Sequence, residues 1–270
     1  MADRYGLETI TTELDDGVLV ATLNRPERRN ALDTVMHSEL PHLYQKLAAD
    51  DEVLVMILTG AGDYFTVGAD FSVMSENEGY PDGHPGLLTE AVATARNILA
   101  VRQPMIAAVN GDAIGIGATL ALFCYIVYMA DTARIGDPHV RGGIVCGDGG
   151  AVLWPLLMGV NRAKEYLMTG DLVPAAEADR LGLTNHVVPR DRLMDEAMAM
   201  ARRLAAGPQV ALRFNKRLVN KELEARVVQL YDLAAALEAI TFETADHHEA
   251  VASFLEKRPA AFTSGRPGGT

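Results

Sequence analysis

Two stretches of alternating apolar and polar residues open the chain. Leu7 to Leu14 and Val18 to Leu23 flank the turn cluster Asp15-Asp16-Gly17, a pattern that predicts a β-hairpin. After it, Leu32, Val35, Met36, Leu40, Leu43 and Leu47 recur at helical spacing with Asp33 placed as N-cap. Val53 to Leu58 is then an almost wholly apolar run, the signature of a strand buried on both faces. A strand followed by a Gly-containing turn returns at Met105 to Val109 with Asn110-Gly111, and a further strand at Tyr125 to Ala130, so the fold class is α/β.

Between Ser72 and Gly86 the sequence turns polar and Gly/Pro-rich, which predicts a surface loop. From Arg190 onward only helical patterns remain: Arg192 to Ala205, Pro208 to Val219, and Glu222 to Leu255. In the last of these Leu223, Val227, Leu230, Leu233, Leu237 and Ile240 form an apolar stripe that must pack on the core or on another subunit. The division expected is a core of residues 1–190 and a helical region of 191–270.

Composition narrows the class. With 49 % apolar residues among 270, the chain can bury a sizeable core. Its longest apolar stretch, Ala118 to Ala130, falls short of the roughly 20 residues a membrane span needs, so no membrane partner is expected. Met1 to Thr12 has no apolar run preceded by basic residues, which makes the cytoplasm the expected location. The two cysteines, Cys124 and Cys146, read as reduced thiols. A net charge of −12 disfavours nucleic acid as a partner.

Three Gly-rich turns carry the candidate chemistry: Gly60 to Asp70, Asn110 to Gly117, and Gly142 to Gly150. A helix N-terminus after such a turn presents unpaired N–H groups and a partial positive charge, suited to an oxyanion or a phosphate. The segments LNRPERRNAL, GAGDYFTVGADF, IAAVNGDAIGIGATLAL and FLEKRPAAF, in that order, resemble the signatures of the crotonase (enoyl-CoA hydratase/isomerase) superfamily. The resemblance implies a ClpP-like spiral of ββα units with a C-terminal helical region that forms trimers, often paired into hexamers. It also implies an acyl-CoA substrate, with no cofactor beyond the CoA that the substrate carries.

By the same resemblance, the backbone N–H groups of Ala69 and Ile116 form an oxyanion hole for the thioester carbonyl. Val67, Gly68, Asp70, Gly115 and Thr119 line the substrate around it. Phe254 and Lys257 fall where a neighbouring subunit meets the adenosine of CoA; the alternative for Lys257 is a solvated charge at a helix end.

The two glutamates that family hydratases use on one water are matched here by Thr119 and His139, so simple hydration is expected to be slow or absent. In their place stand Asp137-Pro138-His139 and, nine residues after the histidine, Asp148 in GGIVCGDGGAVLWP. This segment resembles that of 6-oxocamphor hydrolase, a C–C-bond-cleaving member of the superfamily with a histidine and an aspartate at these places. An aspartate accepting the imidazole N–H would make His139 a general base. The structural alternative is that Asp148 caps a helix over Gly149 to Met158 while His139 bonds a backbone carbonyl.

Other readings carry less. Cys146 between the pair is a nucleophile or a small buried residue, and a metal at Asp137, His139 and Asp148 has no supporting ligand spacing. His247 and His248 read as solvated, and Glu76, Glu78, Tyr80 and His84 as loop residues that can reach a pocket. No G-x-S-x-G elbow occurs, which sets a serine hydrolase aside. The functions left open are an acyl-CoA lyase, isomerase or hydrolase, a C–C bond (β-diketone) hydrolase, and a non-catalytic acyl-CoA binder.

Overall fold

The structure is a computed structural model and describes residues 3–70 and 84–264. The expected hairpin is present: β1 (Ile10–Asp15) and β2 (Val18–Leu23) pair antiparallel from Ile10 opposite Leu23 to Asp15 opposite Val18. Asp16 and Gly17 both take positive φ at the tip, as a two-residue turn matching the strand twist requires. β2 then starts a parallel ladder through β3 (Val55–Gly60), β4 (Met105–Val109), β6 (Tyr125–Ala130) and β9 (His186–Val188), giving a six-stranded sheet. Every residue of β3 and β4 is buried, the reason both read as unbroken apolar runs.

A second sheet of β5 (Ala113–Ile114), β7 (Arg134–Gly136) and β8 (Val173–Pro174) lies beside the first in chain order. β4, β5 and the helix Ile116–Phe123 make one ββα unit; β6 and β7 lead to the helix Gly150–Met158 in the next. This is the spiral of ββα units, followed by a C-terminal helical region. One apolar core runs through both, from Ile10 and Leu58 to Leu193, Ala201, Leu223 and Tyr231. Among the described residues no helix is long and apolar enough to cross a membrane.

Three expectations differ. The helix His84–Ala100 begins inside the stretch read as a loop, because Pro85 fits a first helical turn where no N–H bond is needed. Glu76, Glu78, Tyr80 and the side chain of His84 lie outside the described residues. The break expected near Val219 is absent, and one helix runs from Gln209 to Phe242. It continues because no Gly or Pro interrupts it and because buried Asn220 spends its amide on Tyr125 Oη at 3.1 Å rather than on its own backbone. The true break is at Thr244, whose hydroxyl accepts from His247 N and starts the helix Ala245–Leu255.

The apolar stripe also divides. Leu223, Val227, Tyr231, Ala234, Ala235, Glu238 and Phe242 face inward, whereas Leu233, Leu237 and Ile240 are exposed at 57 %, 44 % and 64 %.

One side chain ties the first Gly-rich segment in place. Asn30, fully buried with φ 55, donates through Nδ2 to the carbonyls of Ala61, Tyr64 and Phe65 at 2.9, 2.8 and 3.2 Å. Its Oδ1 accepts from Arg25 N at 2.9 Å, and its own carbonyl accepts from the Thr66 hydroxyl at 2.6 Å. Asn30→Ala leaves the buried Phe65 carbonyl and the partly buried Ala61 carbonyl without this donor, while Tyr64 O keeps Asn110 Nδ2 at 3.3 Å, and should lower the unfolding free energy by about 1–3 kcal/mol, measured by urea denaturation.

Candidate active site

Two backbone segments meet through short hydrogen bonds. Thr66 N donates to Asp112 O at 3.1 Å and Ile114 N to Thr66 O at 3.0 Å, so residues 66–70 run beside 112–116. On the other side Leu32 N donates to Gly68 O and Asp70 N to Leu32 O, at 2.8 and 2.9 Å. This ladder uses the groups flanking Ala69 and turns the Ala69 N–H to the opposite face. Ile116 is the first residue of its helix, where N–H groups have no intrahelical acceptor. Neither amide has a hydrogen-bond partner among the described residues.

Gly115 precedes Ile116 with φ 57 and ψ −123, a conformation closed to side-chain-bearing residues. A Cβ there would stand 3.4 Å from His139 Cε1, so the imidazole lies directly over the turn that presents the Ile116 amide.

His139 begins a single helical turn after β7 and is 14 % exposed at its side chain. Its Nδ1–H donates to Asp137 Oδ1. Nε2 faces Asp148 Oδ2 at 3.5 Å and Glu238 Oε1 at 3.8 Å. The structure thus brings His139 and Asp148 together, but Asp137, not Asp148, is the close partner of the ring. Two residues earlier in the chain, Asp137 is already carried by the same short loop, whereas Asp148 reaches the ring from the start of another helix.

Asp148 does not cap that helix. Gly149 is the N-cap and no side chain bonds it; Asp148 instead accepts from the Thr119 hydroxyl at 3.4 Å, and its carbonyl from Tyr231 Oη at 2.5 Å. Asp137 sits at that helix start too: its Oδ2 lies 1.9 Å from where a Cβ on Gly150 would be.

Charge balance defines the pocket. Burial opposes the His139 imidazolium, but the fields of Asp137 and Asp148, the Asp137 hydrogen bond and the field of Glu238 outweigh it and hold its pKa well above the usual value. Burial raises Asp148 to about 6, partly offset by His139, and raises Glu238 to about 8 for the same reasons. Near neutral pH the cluster therefore holds an imidazolium clamped to Asp137 and a largely protonated Glu238. Asp137 Oδ2 and Glu238 Oε2 are buried without a hydrogen-bond partner among the described residues. Ligand-type atoms of Asp137, His139 and Asp148 lie within 4.8 Å of one another, and Nδ1 of His139 is bonded to Asp137.

Glu238 escaped sequence reasoning. Its signal was a lone acid on the buried side of an apolar helix, between Ala234, Ala235 and Phe242. His247 was expected in solvent and is 3 % exposed, with Nδ1 bonded to Gly142 O at 2.8 Å and its ring edge-on to Phe242 at 5.0 Å. The last helix packs on the loop that follows His139, which buries one of two adjacent histidines and leaves His248 exposed. Burial and the carboxylates of Asp137, Asp148 and Glu238 push the Cys146 thiol upward, so it is no thiolate.

The remaining predicted positions serve the frame or lie outward. Asp70 Oδ2 is 3.5 Å from Nη1 of Arg25, whose Nη2 is 3.1 Å from Asp33 Oδ2. Val67 N donates to Arg29 O at 3.3 Å. Phe254 is 60 % exposed near the end of the last helix, and exposed Lys257 follows in the left-handed region.

Residues 13–265 match the family model described as enoyl-CoA hydratase/isomerase. A probable enoyl-CoA hydratase of Mycobacterium tuberculosis is 36 % identical over 95 % of this chain and 98 % of its own length. A short-chain-enoyl-CoA hydratase of Clostridium acetobutylicum is 35 % identical over 93 % and 96 %. Among solved structures, an enoyl-CoA hydratase/isomerase from Mycobacterium paratuberculosis matches with TM-score 0.88 and 36 % identity, over 92 % of this chain and all of its own. A β-diketone hydrolase from Anabaena, bound to (S)-3-oxocyclohexyl acetic acid, matches with TM-score 0.80 and 29 % identity over 87 % and 94 %.

The raised acids give stability a definite pH dependence. Glu238 binds its proton more tightly folded, at about 8 against 4.5, so its contribution is lost as pH rises through that window. His139, raised above 6.5, acts in the same direction. Glu238→Gln should therefore gain stability relative to the parent as pH rises, reaching at least about 1 kcal/mol by about pH 9. Urea denaturation across pH tests this, and a difference that does not grow with pH contradicts it.

Proposed function

Because the chain belongs to the enoyl-CoA hydratase/isomerase family, we propose that it acts on an acyl-CoA thioester whose carbonyl oxygen is received by the Ala69 and Ile116 N–H groups. The observation that carries this reading is the His139 ring over Gly115, which opens an acid–base group and an unpartnered helix-start amide onto one space. Val67, Gly68, Gly115 and Thr119 line that space, with Asp70 fixing one edge through Arg25.

Two preorganised donors aimed at a developing enolate oxygen are worth several kcal/mol in the transition state. Asp137 fixes the ring so that Nε2 is the working nitrogen, and Asp148 and Glu238 flank that nitrogen. The His139 imidazolium gives a proton at the substrate, and Asp148, within 3.5 Å of its Nε2, is placed to take one.

Ordinary hydration of a 2-enoyl thioester is not the main reaction. The relatives above are named hydratases, but Thr119 cannot ionise, and a histidine with three carboxylates replaces the paired glutamates of the family resemblance.

A second reading, hydrolytic cleavage of a C–C bond between two carbonyls, is favoured by the His139–Asp148 pair with Glu238 and by the likeness to the Anabaena β-diketone hydrolase. There the imidazolium first passes its Nε2 proton to Asp148, neutral His139 takes a proton from water as the water oxygen bonds one carbonyl carbon, the C–C bond breaks, and Asp148 protonates the enolate held by the amides.

The protein is further proposed to self-associate as a trimer or hexamer. Leu218, Val228 and Ile240 are each more than half exposed on the long helix, which supports a covering subunit. Phe254 and Lys257 would then meet the adenosine part of CoA across that interface. The CoA carried by the substrate is the only cofactor proposed, and the cytoplasm the location.

The test is turnover of enoyl-CoA, 3-oxoacyl-CoA and cyclic diketone substrates. His139→Ala should lower kcat/KM by about 100- to 10,000-fold. Ile116→Pro, which removes one N–H at a helix position where proline is tolerated, should lower kcat by about 100-fold or more. Turnover indifferent to both changes would refute the site, whereas tight acyl-CoA binding without turnover would establish a binder.

A further inference from the structure

A second cavity lies at the other end of the sheet. β4 runs from Met105 to Val109 and leads into the turn at Gly115, so Val101 and Arg102, which precede it, sit beyond its opposite end, roughly 16 Å away along five residues. There the end of the His84–Ala100 helix, Val101 and Arg102 after it, and the first turns of the Gln209–Phe242 helix line a cavity of about 540 Å³. That volume is in the range of small-molecule sites.

Its lining is strongly cationic for a chain of net charge −12: Arg102, Arg213, Lys216, Arg217 and Lys221 against Glu224 alone. Arg102 is paired with Asp51 and Lys221 with Glu224. Arg213, Lys216 and Arg217 have no carboxylate partner among the described residues. Their spacing of three and four places them on one helix face, where like charges repel unless an anion lies between them.

Two groups are visibly short of a partner. Arg213 Nε is buried without a hydrogen-bond acceptor among the described residues. Lys216 Nζ donates to the carbonyls of Val101 and Gln103 at 2.8 and 2.7 Å and stands 5.3 Å from the Tyr125 ring, contacts that carry no compensating negative charge. Burial pushes this ammonium down to about 7, the response of a cation lacking a counter-ion.

We propose that this cavity binds a phosphate-bearing ligand, its phosphate received by Arg213, Lys216 and Arg217 and its apolar part laid against Leu99, Val101 and Phe214. Guanidinium forks suit phosphate oxygens in a bidentate way, and the lysine adds a point charge. The site is separate from the acyl pocket and does not depend on the reaction proposed for it.

Calorimetric titration of the full chain at low salt, with inorganic phosphate and with ADP as probes, tests the site. Saturable binding is expected, weakened at least about tenfold in Arg213→Gln/Arg217→Gln and in Lys216→Met, the loss of a charge-assisted hydrogen bond. Acyl-CoA turnover should be unchanged in both variants, and thermal melting checks that they fold. ADP binding tighter than phosphate assigns an organic phosphate; equal affinity assigns free phosphate. No saturable binding of either probe, or binding that the variants leave intact, overturns the proposal.

Discussion

One imidazolium holds three carboxylates together in a pocket almost closed to water. Without His139, the side chains of Asp137, Asp148 and Glu238 would face one another at less than a tenth exposure, an arrangement no folded chain sustains in ionised form. The balance is reached by two means at once. His139 keeps its proton because the carboxylates surround it, and Glu238 keeps its proton because burial and its neighbours disfavour a further negative charge.

The fold supplies this pocket from segments far apart in the chain. The segment after β3 pairs with β5 through the Thr66–Ala113 bridge, and β5 runs parallel to β7 in the second sheet, so the segments after β3, β5 and β7 come together. Asn30 fixes the first of these, replacing with one amide the hydrogen bonds a regular ladder would provide. The long C-terminal helix closes the pocket with Tyr231 on the Asp148 carbonyl and Glu238 beside His139, and the last helix packs His247 against the loop between them.

That long helix joins both ends of the molecule. Lys216 and Glu238 are 22 positions apart on it, about 33 Å along its axis. Lys216 stands under the sheet's entry edge with burial lowering its pKa to about 7, and Glu238 lies beside His139 with burial raising its pKa to about 8. Asn220, bonded to Tyr125 at the start of β6, fixes the helix between them.

Much of this was legible in the residues alone. The hairpin about Asp16-Gly17, the Asp33-capped helix and the buried runs at Met105 and Tyr125 are local patterns, and local backbone preference follows local sequence. The ordered motifs indicated the family and placed Ala69, Ile116, His139 and Asp148 as candidates. Which carboxylate takes the imidazole N–H, that Glu238 joins from 99 positions beyond His139, that the helix runs unbroken through Asn220 and that His247 is buried were all decided by packing. Spacing along a chain specifies which face a residue presents. Only the tertiary structure determines what lies against that face, and with it the charge each buried group carries.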